Sequence, residues 1–238
     1  MHAHPDDETL ATGALLALLD ASGAQASLVT ATRGERGEVR PGVLAPGADL
    51  VTLRLGEWAQ ACAALGVRDA RWLGTPPARA AGRAPRRYAD SGMAWLDAAE
   101  TIAGPGVDAS PDALALADPA EVAGDIAAAA LALGADSLIT YDALGGYGHP
   151  DHVALHRPTR DAAASLGLPF FELVSQPRSA PTPSGGDILW FDGTSRLVQV
   201  SAALAAYSSQ LSVDGAELVH VGGQREPIAL RVGVRGPC

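Results

Sequence analysis

The sequence has neither lysine nor asparagine among its 238 residues. Without lysine, the chain has neither a Schiff-base lysine nor the lysine of a phosphate-binding P-loop. Without asparagine, it has no acceptor for N-glycosylation. These three kinds of chemistry are therefore excluded from its possible functions.

Positive charge is also scarce, because 17 basic residues face 27 acidic ones and the net charge is −10. No basic stripe is present for a nucleic-acid backbone or an anionic membrane surface, so neither is expected as a partner. The densest basic run, at residues 78–87, is short and interrupted by proline. We interpret that run as a solvated loop.

Cysteine is limited to Cys62 and Cys238, which is too few for a disulfide framework and indicates a reducing compartment. No apolar run approaches the roughly 18 residues of a transmembrane helix. The N-terminus also lacks the basic and apolar regions of a signal peptide. A cytoplasmic location is therefore predicted.

The chain is 47% hydrophobic and long enough to bury a sizeable core. Apolar spacing, capping residues and β-branched runs predict elements that alternate along the chain. The predicted helices are 8–22, 49–65, 118–133, 150–166 and 201–211. The predicted strands are 25–32, 70–73, 137–141, 168–173, 188–191 and 196–200, with a turn at Asp192-Gly193. Residues 176–186, rich in serine, proline and glycine, are predicted to be a linker or an active-site rim.

This alternation predicts one α/β domain over residues 1–238, with a Rossmann-like, doubly wound and mostly parallel sheet flanked by helices. Residues 177–238 are expected to form a variable C-terminal part. The first strand is nearly missing, since only three residues precede the first polar cluster. Either that strand is a stub, or the natural chain starts upstream of Met1.

The first polar cluster is His4-Pro5-Asp6-Asp7, at the start of the first predicted helix. A catalytic zinc ion typically has three protein ligands and one open position. His4 and Asp7, together with His152 far downstream, would provide two nitrogens and one oxygen. Asp6 would then remain free to take a proton from an attacking water. Iron(II) suits the same ligands.

The second polar cluster, Tyr147-Gly148-His149-Pro150-Asp151-His152, follows a predicted strand and opens a helix. His149 and His152 are three residues apart, so a helical turn places them on one side. One imidazole can bind metal while the other, if charged, faces a developing oxyanion. Asp151 is a candidate to hold that imidazolium.

Each cluster also has an interpretation without function. Asp6 or Asp7 is a natural N-cap for the helix that follows, and Asp151 suits the first turn of its own helix. The occurrence of both clusters at the ends of predicted parallel strands favours the metal site. His2 lies outside the turn that Pro5 restricts, and it is expected to be a terminal or strand residue.

The two clusters together resemble the LmbE-like (PIG-L) zinc deacetylases, which remove acetyl groups from N-acetylglucosaminyl compounds. Within that family the similarity is greatest to the mycothiol-biosynthetic deacetylases of actinobacteria, and it decreases after Leu211. The segments that carry this second similarity are 34–39 (GERGEV), 54–57 (RLGE), 90–93 (DSGM), 145–152 (GGYGHPDH) and 202–211 (AALAAYSSQL).

The resemblance implies a zinc site and a set of catalytic and substrate-binding residues. It implies that His4, Asp7 and His152 bind zinc, that Asp6 is the general base, and that His149 is the electrostatic stabiliser or acid. By the same resemblance Asp151 tunes His149 and Tyr147 polarises the amide carbonyl. The implied substrate-binding residues are Arg54, Asp90, Glu38 and Met93. An ion pair between Arg54 and a helix neighbour is the alternative for that residue.

The expected activity is hydrolysis of the acetamide of an amino-sugar, with N-acetylglucosaminyl-inositol as the expected substrate. One alternative is an amidase acting on mycothiol S-conjugates, or a deacetylase acting on another N-acetylglucosaminyl compound. A second alternative is a paralogue that binds a sugar or a metal without turnover.

Overall fold

Helices and short strands alternate through the computed structural model of the chain, which describes residues 1–97, 103–175 and 188–237. Within those residues the helices are α1 (Asp7–Ser22), α2 (Leu50–Ala64), α3 (Pro119–Leu133), α4 (Pro150–Leu166) and α5 (Leu197–Ala206). The strands are β1 (Ser27–Thr30), β2 (Asp69–Trp72), β3 (Ala94–Trp95), β4 (Ala103–Gly104), β5 (Leu138–Tyr141), β6 (Phe170–Leu173), β7 (Ile188–Asp192), β8 (Leu211–Asp214), β9 (Glu217–His220), β10 (Arg225–Pro227) and β11 (Arg231–Arg235). The predicted α/β class is confirmed. The predicted linker at 176–186 and Cys238 lie outside the described residues.

The helix ends follow the capping residues that the sequence provides. The side chain of Asp118 caps α3 by accepting a hydrogen bond from the Ala120 N–H, and Pro119 occupies the first helical position. Asp49 caps α2 in the same way through the Thr52 N–H. Gly23 ends α1 with a φ of 75°, a left-handed conformation that glycine adopts without strain. The predicted boundaries of α1 to α4 are thus confirmed to within a residue or two.

The strands form several small sheets of mixed direction. β1 and β2 are parallel, and so are β5 and β6. β11 then lies antiparallel between β6 and β7, giving the order β5-β6-β11-β7. β8, β9 and β10 form a separate antiparallel sheet, and β3 pairs with β4. The sheet that the sequence predicted as mostly parallel is therefore parallel only in part.

The first three residues occupy the space between β1 and β5. The His2 N–H donates to Val29 O at 3.0 Å, and His2 forms a single parallel bridge with Thr30. On the other side, the amino group of Met1 donates to Ile139 O at 2.8 Å. Residues 1–3 therefore occupy the position of the first strand as a stub of extended chain that is hydrogen-bonded on both sides.

Two hydrophobic clusters flank this stub. One joins α1, α2 and α5 to β11, with Trp58, Leu65 and Tyr207 among its buried members. The other joins α3 and α4 to the loop that follows β2, and it includes Ala3 and Tyr88. Polar residues at the start of α1 are thus positioned from both sides by packed structure. No helix of the described residues is long and apolar enough to cross a membrane.

The predicted strand at 196–200 and the turn before it are wrong. Residues Thr194–Arg196 form a 3₁₀ turn that runs directly into α5. Gly193 packs against α1 so closely that a Cβ at this position would lie 2.7 Å from the Cβ of Ala14. This tertiary contact, rather than a local hairpin, determines how the segment folds.

The basic run at 78–87 is not simply a solvated loop. The Arg79 side chain is only 7% exposed, and it pairs with Glu121 at 2.7 Å and Asp125 at 2.8 Å on α3. Arg86 also pairs with Glu121, at 2.7 Å. Arg83 and Arg87 are half exposed, as expected of a solvated loop. Ion pairs with a helix distant in sequence explain why half of this prediction failed.

Candidate metal centre

The two polar clusters meet because the segments that precede them are neighbours. The stub at residues 1–3 lies beside β5, so the start of α1 and the start of α4 leave the sheets at the same edge. The ring of His4 lies 4.7 Å from that of His149 and 5.4 Å from that of His152, centre to centre. The predicted convergence of residues 145 positions apart in the chain is therefore observed.

Two of the predicted metal ligands, both histidines, converge on a carboxylate oxygen of the third. Asp7 Oδ2 lies 3.1 Å from His4 Nδ1 and 3.1 Å from His152 Nε2. All three side chains are at least nine-tenths buried. Two imidazole nitrogens and one carboxylate oxygen form the kind of donor set that a catalytic divalent metal uses.

The free atoms of these side chains fit a metal. His152 Nε2 is buried without a hydrogen-bond partner, since Asp7 Oδ2 lies out of line for one. The opposite ring nitrogen, Nδ1, lies 3.2 Å from the carbonyl oxygen of Gly145. Metal-binding histidines typically donate their second N–H to a backbone carbonyl or a carboxylate, which leaves the first nitrogen for the metal.

His4 has the same arrangement with a carboxylate partner. Its Nε2 lies 3.1 Å from Asp151 Oδ2, so an N–H there leaves Nδ1, on the side of Asp7, free for a metal. Burial lowers the pKa of His4, but hydrogen bonds to Asp151 and Asp7 outweigh it and hold the pKa well above its ordinary value. Since metals bind the neutral imidazole, metal binding displaces that proton.

Negative charge dominates the surroundings of these ligands. Four carboxylates lie at the site, those of Asp6, Asp7, Asp90 and Asp151. Among the described residues, the arginine that pairs with one of them is Arg54, whose guanidinium contacts Asp6. Two overlapping groups of side chains each have potential ligand atoms within 4.8 Å of one another. One group is His4, His149 and His152, and the other is His4, Asp90 and Asp151. The donor set and the excess negative charge together suit a divalent metal ion.

Asp6 stands in a strained conformation beside the ligands. Among the non-glycine residues that the structure describes, Asp6 is the one with a positive φ, which is 101°. Although Asp6 occupies the N-cap position of α1, its side chain caps nothing and instead pairs with Arg54 at 2.8 Å. Burial raises the pKa of Asp6 to about 7 against the opposing effect of Arg54. The N-cap interpretation of this residue is therefore replaced by a carboxylate directed towards a buried arginine.

His149 occupies the N-cap position of α4 and uses one nitrogen as an acceptor. The Asp151 N–H donates to His149 Nδ1 at 3.2 Å, so the ring hydrogen of a neutral His149 lies on Nε2. Burial, together with the neighbouring His4 and His152, lowers the pKa of His149 to about 4. This environment favours a neutral imidazole that donates through Nε2, whereas the sequence led us to expect an imidazolium.

The carboxylate of Asp151 contacts His4 rather than the ring of His149. Besides His4 Nε2, it accepts hydrogen bonds from the N–H of Ser91 at 2.9 Å and from the Ser91 hydroxyl. Sequence reasoning did not assign Ser91 a role, although it lies inside the segment 90–93 that carries the family resemblance. The pairing of Asp151 with His149 that the resemblance implied is replaced here by a pairing with a predicted ligand.

The predicted substrate-binding residues are placed differently from one another. Arg54 is buried, and its guanidinium donates to Gly34 O at 2.8 Å and Pro5 O at 2.5 Å in addition to Asp6. A Cβ at Gly34 would lie 2.1 Å from the Arg54 Nη1, so the close approach requires glycine there. The predicted alternative, an ion pair of Arg54 with a helix neighbour, is wrong because its partner Asp6 lies outside α2.

Asp90 lies at the edge of the metal site and is held there by backbone donors. The Arg36 N–H donates to its Oδ2 at 3.1 Å, the Gly92 N–H donates to its Oδ1 at 2.8 Å, and His4 Nε2 lies 3.6 Å away. Tyr147 is 64% exposed, with its ring edge-on to His152 at 5.3 Å. Glu38 and Met93 are exposed as well.

Comparisons with known proteins agree with this geometry. The family model described as PIG-L, GlcNAc-PI de-N-acetylase, matches residues 1–163. The chain is 37% identical to a protein of Kineococcus radiotolerans over 90% of this chain and 68% of that one. It is 43% identical to a protein of Saccharopolyspora erythraea over 70% of this chain and 53% of that one. Both are named 1D-myo-inositol 2-acetamido-2-deoxy-alpha-D-glucopyranoside deacetylase.

A solved structure supports the fold. The crystal structure of a deacetylase–teicoplanin complex from teicoplanin biosynthesis superimposes with a TM-score of 0.59 at 22% identity, covering 87% of this chain and 85% of that one. At this identity the match concerns the fold alone. The chain spans about half the length of the Saccharopolyspora relative and two thirds of the Kineococcus relative.

Proposed function

Since the chain belongs to the PIG-L family of GlcNAc-PI de-N-acetylases, we propose that it is a zinc-dependent hydrolase that removes the acetyl group of N-acetylglucosaminyl-inositol in mycothiol biosynthesis. The observation that carries this proposal is the convergence of His4 Nδ1 and His152 Nε2 on Asp7 Oδ2, with the second nitrogen of each histidine held by another group. The names of the two relatives support the substrate.

The proposed ligands are His4, Asp7 and His152. A zinc ion held by them supplies Lewis acidity, which both polarises an amide carbonyl and makes water more acidic. Iron(II) fits the same ligands, and metal analysis of protein purified from its natural host distinguishes the two.

Asp6 is the proposed general base. It lies next to the ligand Asp7 in sequence, and its carboxylate keeps 16% exposure, so a water at the site can reach it. As the water oxygen bonds to the carbonyl carbon, Asp6 takes the water proton. When the carbon–nitrogen bond breaks, Asp6 delivers the proton that it took from water to the nitrogen, and the products are an amine and acetate; the role of His149 as the acid would require its imidazolium form.

His149 and Tyr147 are the proposed donors to the developing oxyanion. The neutral tautomer of His149 has its hydrogen on Nε2, because Nδ1 is occupied by the Asp151 N–H. An oriented donor in a site that excludes water stabilises a tetrahedral oxyanion without reorganisation. The exposed hydroxyl of Tyr147 lies on the loop just before α4 and is free to turn towards a bound substrate.

Asp90, Glu38, Met93 and Arg54 remain the proposed substrate-binding residues. Asp90 has the strongest support, because its carboxylate lies at the site edge and accepts hydrogen bonds, as it would from sugar hydroxyls. Arg54 has contacts that favour an indirect contribution, since its guanidinium holds Asp6 and the loop at Gly34. A direct contact of Arg54 with the sugar–inositol stays a prediction.

We further propose that residues 1–238 form one deacetylase domain around a doubly wound, Rossmann-like sheet, with 177–238 as its variable part. The stub at residues 1–3 would connect β1 and β2 to β5 and β6 in a single, mostly parallel region. The antiparallel β11 would extend that sheet on one side. The cytoplasmic location remains a prediction.

Release of the free glucosaminyl amine from three matched substrates tests the proposed activity, because each amide hydrolysis leaves this amine whereas only deacetylation also gives acetate. The substrates are N-acetylglucosaminyl-inositol, a mycothiol S-conjugate and free N-acetylglucosamine, each assayed with zinc-loaded protein. We expect the highest kcat/KM with the first. A higher value with the S-conjugate would identify an amidase, and full zinc loading without turnover of any substrate would identify a non-catalytic paralogue.

A further inference from the structure

Tyr141 touches two of the proposed metal ligands at once. Its hydroxyl donates to Asp7 Oδ2 at 2.8 Å, and its ring stacks on the ring of His152 with a centre-to-centre distance of 4.1 Å and an angle of 2°. Tyr141 is 4% exposed and forms the last residue of β5. The residue is thus part of the sheet and supports the ligands from the buried side.

The hydrogen bonds around this hydroxyl have a determined direction. A tyrosine hydroxyl carries one hydrogen, and an ionised carboxylate only accepts, so that hydrogen is directed to Asp7. The Tyr141 oxygen accepts from the Ala3 N–H at 3.0 Å, and His2 Nδ1 lies 3.2 Å from it. The Nδ1–H tautomer of His2 donates to Tyr141. In this tautomer the Thr12 hydroxyl turns from Glu8 O to donate to His2 Nε2.

His2 is itself held in the position that this donation needs. Its side chain is buried, with Nε2 3.0 Å from Thr12 Oγ1 on α1, and its backbone is paired with β1. The expectation that His2 is a strand residue is confirmed. Its ring also contacts Tyr141, which in turn contacts the proposed ligand Asp7. A connected set of contacts therefore runs from α1 through His2 and Tyr141 to Asp7.

We propose that Tyr141, oriented by His2, is a positioning residue that holds Asp7 and His152 in the arrangement that binds the metal. This inference rests on the proposed metal-dependent function. A hydrogen bond to one oxygen fixes the plane of the Asp7 carboxylate, and the stacked ring restricts rotation of the His152 imidazole. Outer partners of this kind typically change metal affinity or activity by about 10–100-fold when they are removed.

The test is zinc affinity, measured by competition with a chromophoric chelator for the wild type and for Tyr141→Phe. The phenylalanine keeps the ring stacked on His152 and removes only the hydroxyl. We expect zinc binding to weaken by about 10-fold or more. The matched control is Tyr88→Phe, because Tyr88 is also buried and also donates to a carboxylate, Asp125, at 2.8 Å in another part of the molecule. That variant should bind zinc as the wild type does.

A second pair of variants tests the orientation by His2 and does not depend on Tyr141→Phe folding well. His2→Ala removes the donor to Tyr141 and should weaken zinc binding by less than Tyr141→Phe does. His2→Asn places an amide N–H near the position of Nδ1 and should restore part of the loss. The visible spectrum of the cobalt(II)-loaded protein should shift in His2→Ala and Tyr141→Phe, since the ligand geometry changes, and should be unchanged in Tyr88→Phe.

The inference is overturned if Tyr141→Phe binds zinc within about twofold of the wild type and its cobalt(II) spectrum is unchanged, against the expected 10-fold loss. Failure of the proposed function has a different signature. In that case the wild type itself binds no zinc or releases no acetate, whatever residue stands at position 141.

Discussion

Two buried clusters of charged side chains lie in this molecule, and they differ in how completely they are paired. Between the loop after β2 and α3, Arg79, Arg83 and Arg86 face Glu121 and Asp125, and each carboxylate oxygen there has a partner. At the start of α1, carboxylates outnumber arginines and a histidine nitrogen is buried without a hydrogen-bond partner. In the first cluster the carboxylates are paired within the protein, although Arg86 Nε is buried without a partner, whereas in the second cluster the excess of carboxylates suits an added cation.

The clusters also differ in backbone strain. Asp6, with a φ of 101°, stands among the metal-site residues, and it is held by a buried arginine and by the packing on both sides of α1. The loop that carries Arg79 is tied to α3 through ordinary ion pairs. Strain concentrated at a cluster that lacks internal charge balance is typical of functional sites. The comparison therefore separates a cluster of paired charges from the proposed catalytic cluster, and four changes test it.

The largest effect is expected from His152→Ala. Removing one of three ligands should leave the protein without bound zinc after dialysis and reduce acetate release to the background rate. Metal analysis of the dialysed protein and the acetate assay measure the two effects. The matched control is His156→Ala on the same helix, whose ring pairs with Glu172 at 2.7 Å and should not affect zinc. Stoichiometric zinc in His152→Ala would remove this residue from the ligands.

Asp6→Asn should separate metal binding from catalysis. Asparagine tolerates a positive φ better than most residues, so the strained backbone is retained while the basic carboxylate is lost. We expect stoichiometric zinc and a rate reduced by about 10²–10⁴-fold. Asp20→Asn, an exposed position on the same helix, serves as the control. Near-normal turnover of Asp6→Asn would show that another group is the base.

Arg79→Met should affect stability and leave the zinc content unchanged. It leaves the carboxylates of Asp125 and Glu121 buried without their shared arginine, and breaking a buried pair typically costs about 3–5 kcal/mol. Urea unfolding of the metal-free protein measures this free energy. Arg157→Met removes an exposed pair with Asp161 and should cost at most about 0.5 kcal/mol. Loss of zinc from folded Arg79→Met would mean that the two clusters are not independent.

The smallest effect is expected from Glu121→Gln, and this effect depends on pH. Hydrogen bonding to Arg79 lowers the pKa of Glu121 below its ordinary value, so its contribution to stability is present at neutral pH and disappears as the pH falls through the folded-state pKa. At pH 7, Glu121→Gln should lower the free energy of unfolding by about 1.5–3 kcal/mol. The difference from the wild type should shrink as the pH falls below about 4.3, the ordinary pKa of a glutamate. A difference that stays constant below that pH would contradict the pairing.

Local signals in the sequence were sufficient for α1 to α4 but not for α5, which was predicted at 201–211 and spans Leu197–Ala206. The Asp118-Pro119 pair and Gly134 determine both ends of α3 through the N-cap, the first helical position and the left-handed stop. Pro158 lies inside α4 and does not end the helix, which continues to Leu166. The position of β11 between β6 and β7 depends on contacts between residues about 60 positions apart, which no local pattern contains.

For the candidate metal site, the sequence predicted which residues the fold brings together but not their supporting contacts. His4, Asp7 and His152 were proposed as ligands because few residue types bind metals and because each cluster follows a predicted strand or its stub. The pairing of Asp151 with His4 was not predicted. The histidines near Asp151 in the sequence are His149 and His152, and only the folded chain brings His4 to its carboxylate. Arg79 was misjudged for a similar reason, as its partners lie more than 40 residues away.

The most direct test of the central claim is a zinc titration of acetate release from N-acetylglucosaminyl-inositol. The protein is first depleted with a chelator and dialysed, and zinc is then returned in steps while the rate is followed. The account predicts no release from the depleted protein and a rate that rises until each chain holds a single zinc ion. Full acetate release by the metal-free protein would contradict it.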